Sequence, residues 1–135
     1  MPYEKLKIFT DGGARGNPGP SGIGYVIYSG SEKIKEGARF IGVATNNQAE
    51  YKAVVAAINQ AKELEAKELE FFLDSELVVK QLNREYRVKD KNLAPLFVSV
   101  YNAALGFRKV TFKHIPREQN KEADALANFA MDRGE

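Results

Sequence analysis

A change of hydrophobic period near residue 45 divides this chain into two regimes. Before it, three runs alternate in the manner of strands. In KLKIFTD (5–11), Leu6, Ile8 and Thr10 fall on one face and Lys7, Phe9 and Asp11 on the other. IGYVIYS (23–29) and KIKEGARFIG (33–42) follow, with SGSE as the turn between them. Connections this short join antiparallel neighbours, so the three runs form a meander. After residue 45 helices and strands alternate. From Gln48 to Leu64, Val54, Ala57, Ile58, Ala61 and Leu64 keep helical spacing. ELEFFLD (68–74) reads as a buried strand and SELVVKQLNRE (75–85) as a short helix. A further helix carries Leu93, Leu96, Phe97, Val100, Tyr101, Ala104 and Leu105 inward, with Asn92 able to cap its start and Gly106 its end. KVTFKHIP (109–116) is the last strand, and KEADALANFAM (121–131) is a closing helix with Ala123, Leu126, Ala127, Ala130 and Met131 inward. Strands separated by helices pair in parallel. The expected fold is therefore α/β: a mixed five-stranded sheet, an antiparallel meander then parallel strands, flanked by helices.

At 135 residues the chain is expected to form one domain, 1–135, large enough to bury a core unaided. It has no cysteine, which removes disulfides, thiolate nucleophiles and zinc–thiolate sites. No apolar run approaches the ~20 residues that span a bilayer, and MPYEKLK lacks the apolar core of a secretion signal. The expectation is a cytoplasmic protein with no membrane association. A net charge of +2 permits nucleic-acid binding without arguing for it, so a basic footprint must come from local clustering.

The carboxylates carry more information. The first strand runs into TDGGARGNPGPSG (10–22), where Asp11 shares a face with Phe9. Asp74 follows the apolar FFL. Glu50 continues the apolar stripe that includes Val54 and Ala57, and Asp124 stands beside the stripe of the closing helix. Each acid has an ordinary explanation: Asp11 as a turn residue, Asp74 as a helix cap, Glu50 and Asp124 as complements to a helix dipole. Four inward acids are better explained by one shared cause, because an unpaired buried carboxylate is costly. A cation is such a cause. Oxygen ligands without thiolates suit hard Mg²⁺ or Mn²⁺ rather than zinc or copper, and Asp11 and Asp74 stand at strand ends, where sites gather in open α/β sheets.

Polar neighbours extend the pattern. TNNQ (45–48) precedes Glu50; one residue there caps the helix, and the remaining amides can donate to phosphates, sugar hydroxyls or base edges. His114, the chain's one histidine, ends the last strand, where beside a metal site it can exchange protons near neutral pH. Tyr86, Arg87, Lys89 and Lys91 in YRVKDKN form the densest basic–aromatic group.

TDGGARGNPGPSG after a strand, TNNQAE opening a helix, LDSELVVKQL, and HIPREQNKEADALAN resemble, in order and spacing, the four blocks of the type 1 ribonuclease H family. The resemblance covers residues 5–131. It implies catalytic, metal-binding acids at Asp11, Glu50, Asp74 and Asp124, and a mobile catalytic histidine at His114. It implies hybrid contacts at Gly12, Gly13, Asn17, Thr45, Asn46, Asn47 and Asn120, the last being the asparagine of the histidine loop. It also implies that the glycine-rich turn lets backbone approach the RNA strand closely. The implied activity is hydrolysis of the RNA strand of RNA–DNA hybrids with two Mg²⁺ ions, Mn²⁺ substituting, to give 5′-phosphate and 3′-hydroxyl ends. The implied partner is the hybrid alone, without an obligate protein partner, on a monomeric enzyme.

The chain departs from that pattern in three places. YRVKDKN runs almost directly into the next helix where many bacterial relatives carry a basic protrusion, so Arg87, Lys89 and Lys91 are the candidates for substrate grip. Val43 matches an arginine of the DNA-phosphate pocket, and Glu76 replaces a glutamine that touches substrate. Three other functions fit the sequence less well. A duplex nuclease or strand-transfer enzyme needs further domains, a silent hybrid-binding module needs no four acids, and a purely structural α/β protein leaves TNNQ and HIPREQN without a purpose.

Overall fold

The computed structural model describes residues 3–134, so residues 1, 2 and 135 of the expected domain lie outside the described residues. The elements run β1 (Lys5–Ala14), β2 (Gly19–Ser29), β3 (Glu32–Ala44), α1 (Asn46–Glu63), β4 (Glu68–Leu73), α2 (Glu76–Leu82), α3 (Ala94–Ala104), β5 (Lys109–His114), a 3₁₀ turn at Arg117–Gln119, and α4 (Lys121–Arg133). The sheet order is β3-β2-β1-β4-β5. β1, β2 and β3 pair antiparallel, while β4 pairs parallel to β1 and to β5, as the change of period requires.

β1 does not stop at Asp11. It continues through Gly12, Gly13 and Ala14, which pair with Ile23, Gly22 and Ser21 of β2, so the glycine-rich segment is mostly hairpin. Only β4 ends early, at Leu73. Asp11 therefore lies where β1 has lost its neighbour on the β4 side, and the register that pairs Phe9 with Phe72 carries on to set Asp11 level with Asp74.

One sheet face is closed by α1, α2 and α3 over a core that includes Leu6, Ile8, Ile27, Tyr51, Ile58, Leu69, Phe71 and Leu73. The other is covered by α4 across the meander. That seam is made of small residues: Ala123, Ala127 and Ala130 are buried against β2, and a Cβ on Gly24 would lie 2.5 Å from the Ala123 carbonyl oxygen. β4 is buried on one face only, alternating Leu69, Phe71 and Leu73 inward with half-buried Glu68, Glu70 and Phe72 outward. The outward face is less covered than the apolar FFL run suggests because α4 does not reach across β4; Phe72 stacks on Phe9 instead, 4.9 Å between ring centres.

α3 also departs from expectation. Leu93 and Val100 are buried, Leu96, Phe97 and Ala104 are half-buried, and Tyr101 and Leu105 are exposed. The helix lies outermost on its face, and the Arg84 guanidinium covers the Tyr101 ring at 4.9 Å. Asn92 does not cap it; Asp90 Oδ1 accepts from the Asn92 N–H, and the helix starts at Ala94 with Pro95 in its first turn. Leu126 and Met131 of α4 are half-buried rather than enclosed.

Candidate active site

The N-terminus of α1 is set by Thr45, whose hydroxyl accepts from Gln48 N while Gln48 Oε1 accepts from Thr45 N. That start puts Glu50 beyond the first turn, too deep to serve the helix dipole, and turns it onto β1. Gly12 N donates to Glu50 Oε1 at 2.7 Å and to Asp11 Oδ1 at 2.9 Å. The strand and helix touch closely here: a Cβ on Gly12 would lie 2.2 Å from the Ala49 carbonyl oxygen. This glycine is small to admit α1. Gly13 has more room, its Cβ position making only ordinary contacts, with the Met131 side chain at 3.4 Å and Asn46 Oδ1 at 3.9 Å.

Asp74 is released from capping by its neighbour. Ser75 Oγ accepts from Val78 N and starts α2, so the Asp74 carboxylate is free to join Asp11 and Glu50. One carboxylate oxygen from each of the three lies within 4.8 Å of the others. Asp124, in the first turn of α4, lines the same cleft of about 410 Å³, together with Gly12, Gly13, Asn46, Asn47, Arg15 and Arg117. Burial, and then the neighbouring Glu50 carboxyl, push Asp11 far above the usual carboxylate range. Burial raises Glu50 as well, against the opposing pull of the Gly12 N–H. Glu50 Oε2 is buried with no hydrogen-bond partner. An all-oxygen set of acids, mutually repelling and with one orphaned buried oxygen, fits a hard divalent cation.

The polar residues expected to meet a hybrid divide into groups. Asn17 Oδ1 accepts from Asn46 N and Asn46 Oδ1 from Ala14 N, which binds the hairpin to the start of α1 and leaves both side-chain NH₂ groups outward. Asn47 lines the cleft, whereas the Thr45 hydroxyl is taken up by capping. Asn120 is buried and its side-chain amide donates inside the protein, which sets it apart from the exposed amides. His114 is exposed at the end of β5, paired with Leu73, and outside the cleft. Arg87, Lys89 and Lys91 are exposed on the loop after α2, where Arg87 and Lys89 border a depression with Tyr86 and Leu77 that shares no residue with the cleft. Val43 is exposed near the end of β3.

Two cleft residues escaped the sequence reading. Arg117, on the 3₁₀ turn between His114 and Asp124, brings Nη2 to 3.6 Å from Asp124 Oδ1. Arg15 in the hairpin is held by Asp132 at 2.7 Å. An arginine inside a histidine-to-aspartate loop was the available signal for the first; nothing local marks the second.

Residues 9–130 match the family described as reverse transcriptase-like. A bifunctional protein of Mycobacterium tuberculosis is 42% identical over 130 residues, covering 95% of this chain and 36% of its own length. The crystal structure of RNase H1 from Halobacterium salinarum superposes with a TM-score of 0.93 at 41% identity, covering 96% of this chain and 98% of that one. The chain belongs to the ribonuclease H family. A third ribonuclease H, the compost-derived LC11 RNase H1 solved with an RNA/DNA hybrid, matches with a TM-score of 0.90 at 40% identity over 95% of this chain and 97% of that one. Set against whole curated sequences, this ribonuclease H chain spans only about a third of the mycobacterial protein and 65% of the Halobacterium salinarum ribonuclease HI. No helix among the described residues is long and apolar enough to cross a membrane.

Proposed function

We propose that this chain hydrolyses the RNA strand of RNA–DNA hybrids, leaving 5′-phosphate and 3′-hydroxyl ends, with Asp11, Glu50, Asp74 and Asp124 holding two Mg²⁺ ions. The observation that carries the reading is the cluster of three carboxylates within 4.8 Å in a cleft that Asn46 and Asn47 also line. Held by these acids, the ions would supply activation of the attacking water and stabilisation of the leaving 3′ oxygen. The chain's own residues do the rest. Gly12 N–H fixes the rotamer of Glu50. Asp11 and Glu50 give up the protons that burial favours when they take up metal. The exposed Asn17 and Asn46 and the cleft-lining Asn47 would read phosphates and 2′-hydroxyls. A labelled hybrid incubated with Mg²⁺ beside RNA duplex and DNA duplex tests the reading. The RNA strand of the hybrid is cut, and chelation stops it. An intact hybrid, or cleavage of the DNA duplex, defeats the proposal.

His114 stands apart from the acids, which suits a helper that exchanges a proton with the leaving oxygen or with departing product rather than a ligand. His114→Ala is expected to retain activity, slowed ~10²-fold or less. Multiple-turnover rates fall at least as much as single-turnover rates, and rapid-quench kinetics separates the two. A variant as inactive as one lacking Asp11 would make the histidine a ligand.

The exposed loop takes the place of the absent protrusion. Neutralising Arg87, Lys89 and Lys91 together is expected to raise KM and flatten its dependence on salt, with kcat little changed. KM measured across a salt series decides this; an unaltered slope returns the loop to ordinary solvated surface.

A further inference from the structure

Asn120 lies at the junction of the elements that carry the acids. It is 1% exposed, on the residue before α4. Its side-chain Nδ2 donates to the Thr10 carbonyl at 2.8 Å and to Asp74 Oδ2 at 3.1 Å. Both partners are acceptors, so the orientation of the amide is dictated. Its own backbone carbonyl accepts from Asp124 N at 3.0 Å. One residue thus touches the carboxylate of Asp74, the peptide carbonyl next to Asp11, and the amide of Asp124.

The side chain does not do what an asparagine at this position usually does. It makes no capping hydrogen bond to α4. Its Oδ1 is buried without a partner, a cost that donation to Asp74 and Thr10 must offset. The segment is pinned on its other side by Ile115 N, which donates to Leu73 O at 2.9 Å. Residues 116–119 therefore form a short span held at both ends, with Asn120 as the anchor nearer the acids.

We propose that Asn120 is a positioning residue for the acid cluster: it holds the Asp74 carboxylate in its metal-receiving orientation and keeps the start of α4 in register with β1. The kinetic part of this rests on the hydrolytic reading above; the metal-binding part does not. Two variants test it. Asn120→Ser cannot reach both partners but suits a helix start. Asn120→Leu keeps the approximate volume and removes every donor. Calorimetric titration with Mn²⁺ alone, without nucleic acid, is expected to show affinity ~10-fold or more weaker in both, as for other residues that orient metal ligands. At saturating Mn²⁺, kcat for a hybrid falls while KM stays close to that of the parent, because nothing that touches substrate has been removed. Mn²⁺ affinity within about twofold of the parent would overturn the proposal, since orienting groups are worth more than that. So would a raised KM at constant kcat, which would restore Asn120 to direct hybrid contact. Thermal melts accompany each variant, and loss of the fold in both would overturn the proposal in favour of a purely structural role. A parent that binds Mn²⁺ but fails to cut hybrids would defeat the proposed activity, and the titration would still decide the role of Asn120.

Discussion

Asp11→Asn is expected to lose cleavage by at least ~10³-fold, the equivalent of the several kcal/mol that metal-ion catalysis supplies. Hybrid affinity should change little, because the outward amides and the basic loop are untouched. The Asn Oδ1 can still accept from Gly12 N, so the local geometry survives. The same substitution should strengthen the metal-free protein. The folded-state pKa of Asp11 is raised by burial and by the neighbouring carboxyls. The protonated group therefore contributes stability that is fully present below the unfolded value of about 4 and is lost as pH rises through the folded value. Glu50 adds to the same slope. Without divalent ions the parent should become less stable from mildly acidic to alkaline pH. Asp11→Asn should show a shallower slope and about 1–2 kcal/mol more stability near neutrality. Urea melts with and without Mg²⁺ measure this, and added Mg²⁺ should narrow the difference. Near-normal Mg²⁺-dependent cleavage by the variant would remove Asp11 from the site.

Gly12→Ala is the second large effect. The new methyl would lie 2.2 Å from the Ala49 carbonyl oxygen and 2.7 Å from Glu50 N, both backbone atoms that cannot swing aside. β1 and α1 must separate, and the bond from Gly12 N to Glu50 Oε1 goes with the contact. Destabilisation of ~3 kcal/mol or more is expected, at the upper end for overpacking because the backbone itself is displaced. Gly13→Ala is the control. Its methyl would make ordinary contacts with the end of the Met131 side chain at 3.4 Å and with Asn46 Oδ1 at 3.9 Å, so stability should hold. Activity lost at Gly13 without loss of stability would mark the place where hybrid backbone comes close. Equal melting behaviour of the two variants would show that the close approach at Gly12 does not decide stability.

The antiparallel-then-parallel sheet and the inward placing of the four acids, which line one cleft, were legible in the sequence because both rest on spacing. Period two gave way to period 3.6, and that change alone dictated a meander followed by parallel strands. The acids were visible because each interrupted or extended an apolar pattern. What stayed hidden depended on neighbours distant in sequence. β1 was read three residues short because its last residues pair only with β2 and carry glycine, which looks like turn. Gly12 was assigned to substrate approach, since no local signal says that a helix will lie against it. Asn120 was grouped with hybrid contacts because burial cannot be read from a polar loop. α3 looked inward because apolar spacing does not reveal whether a second layer exists to cover it.

The seam of alanines on glycine under α4 also bears on how the protein is made. Asp124 reaches the cleft only when Ala123, Ala127 and Ala130 have settled on β2. Synthesis runs from the N-terminus, so the sheet and three of the acids emerge before that helix. Until α4 docks, the cleft lacks Asp124, and Asp74 lacks the hydrogen bond from Asn120. A chain in which α4 has yet to dock therefore carries an unfinished cleft, completed in one step when that helix settles on the sheet.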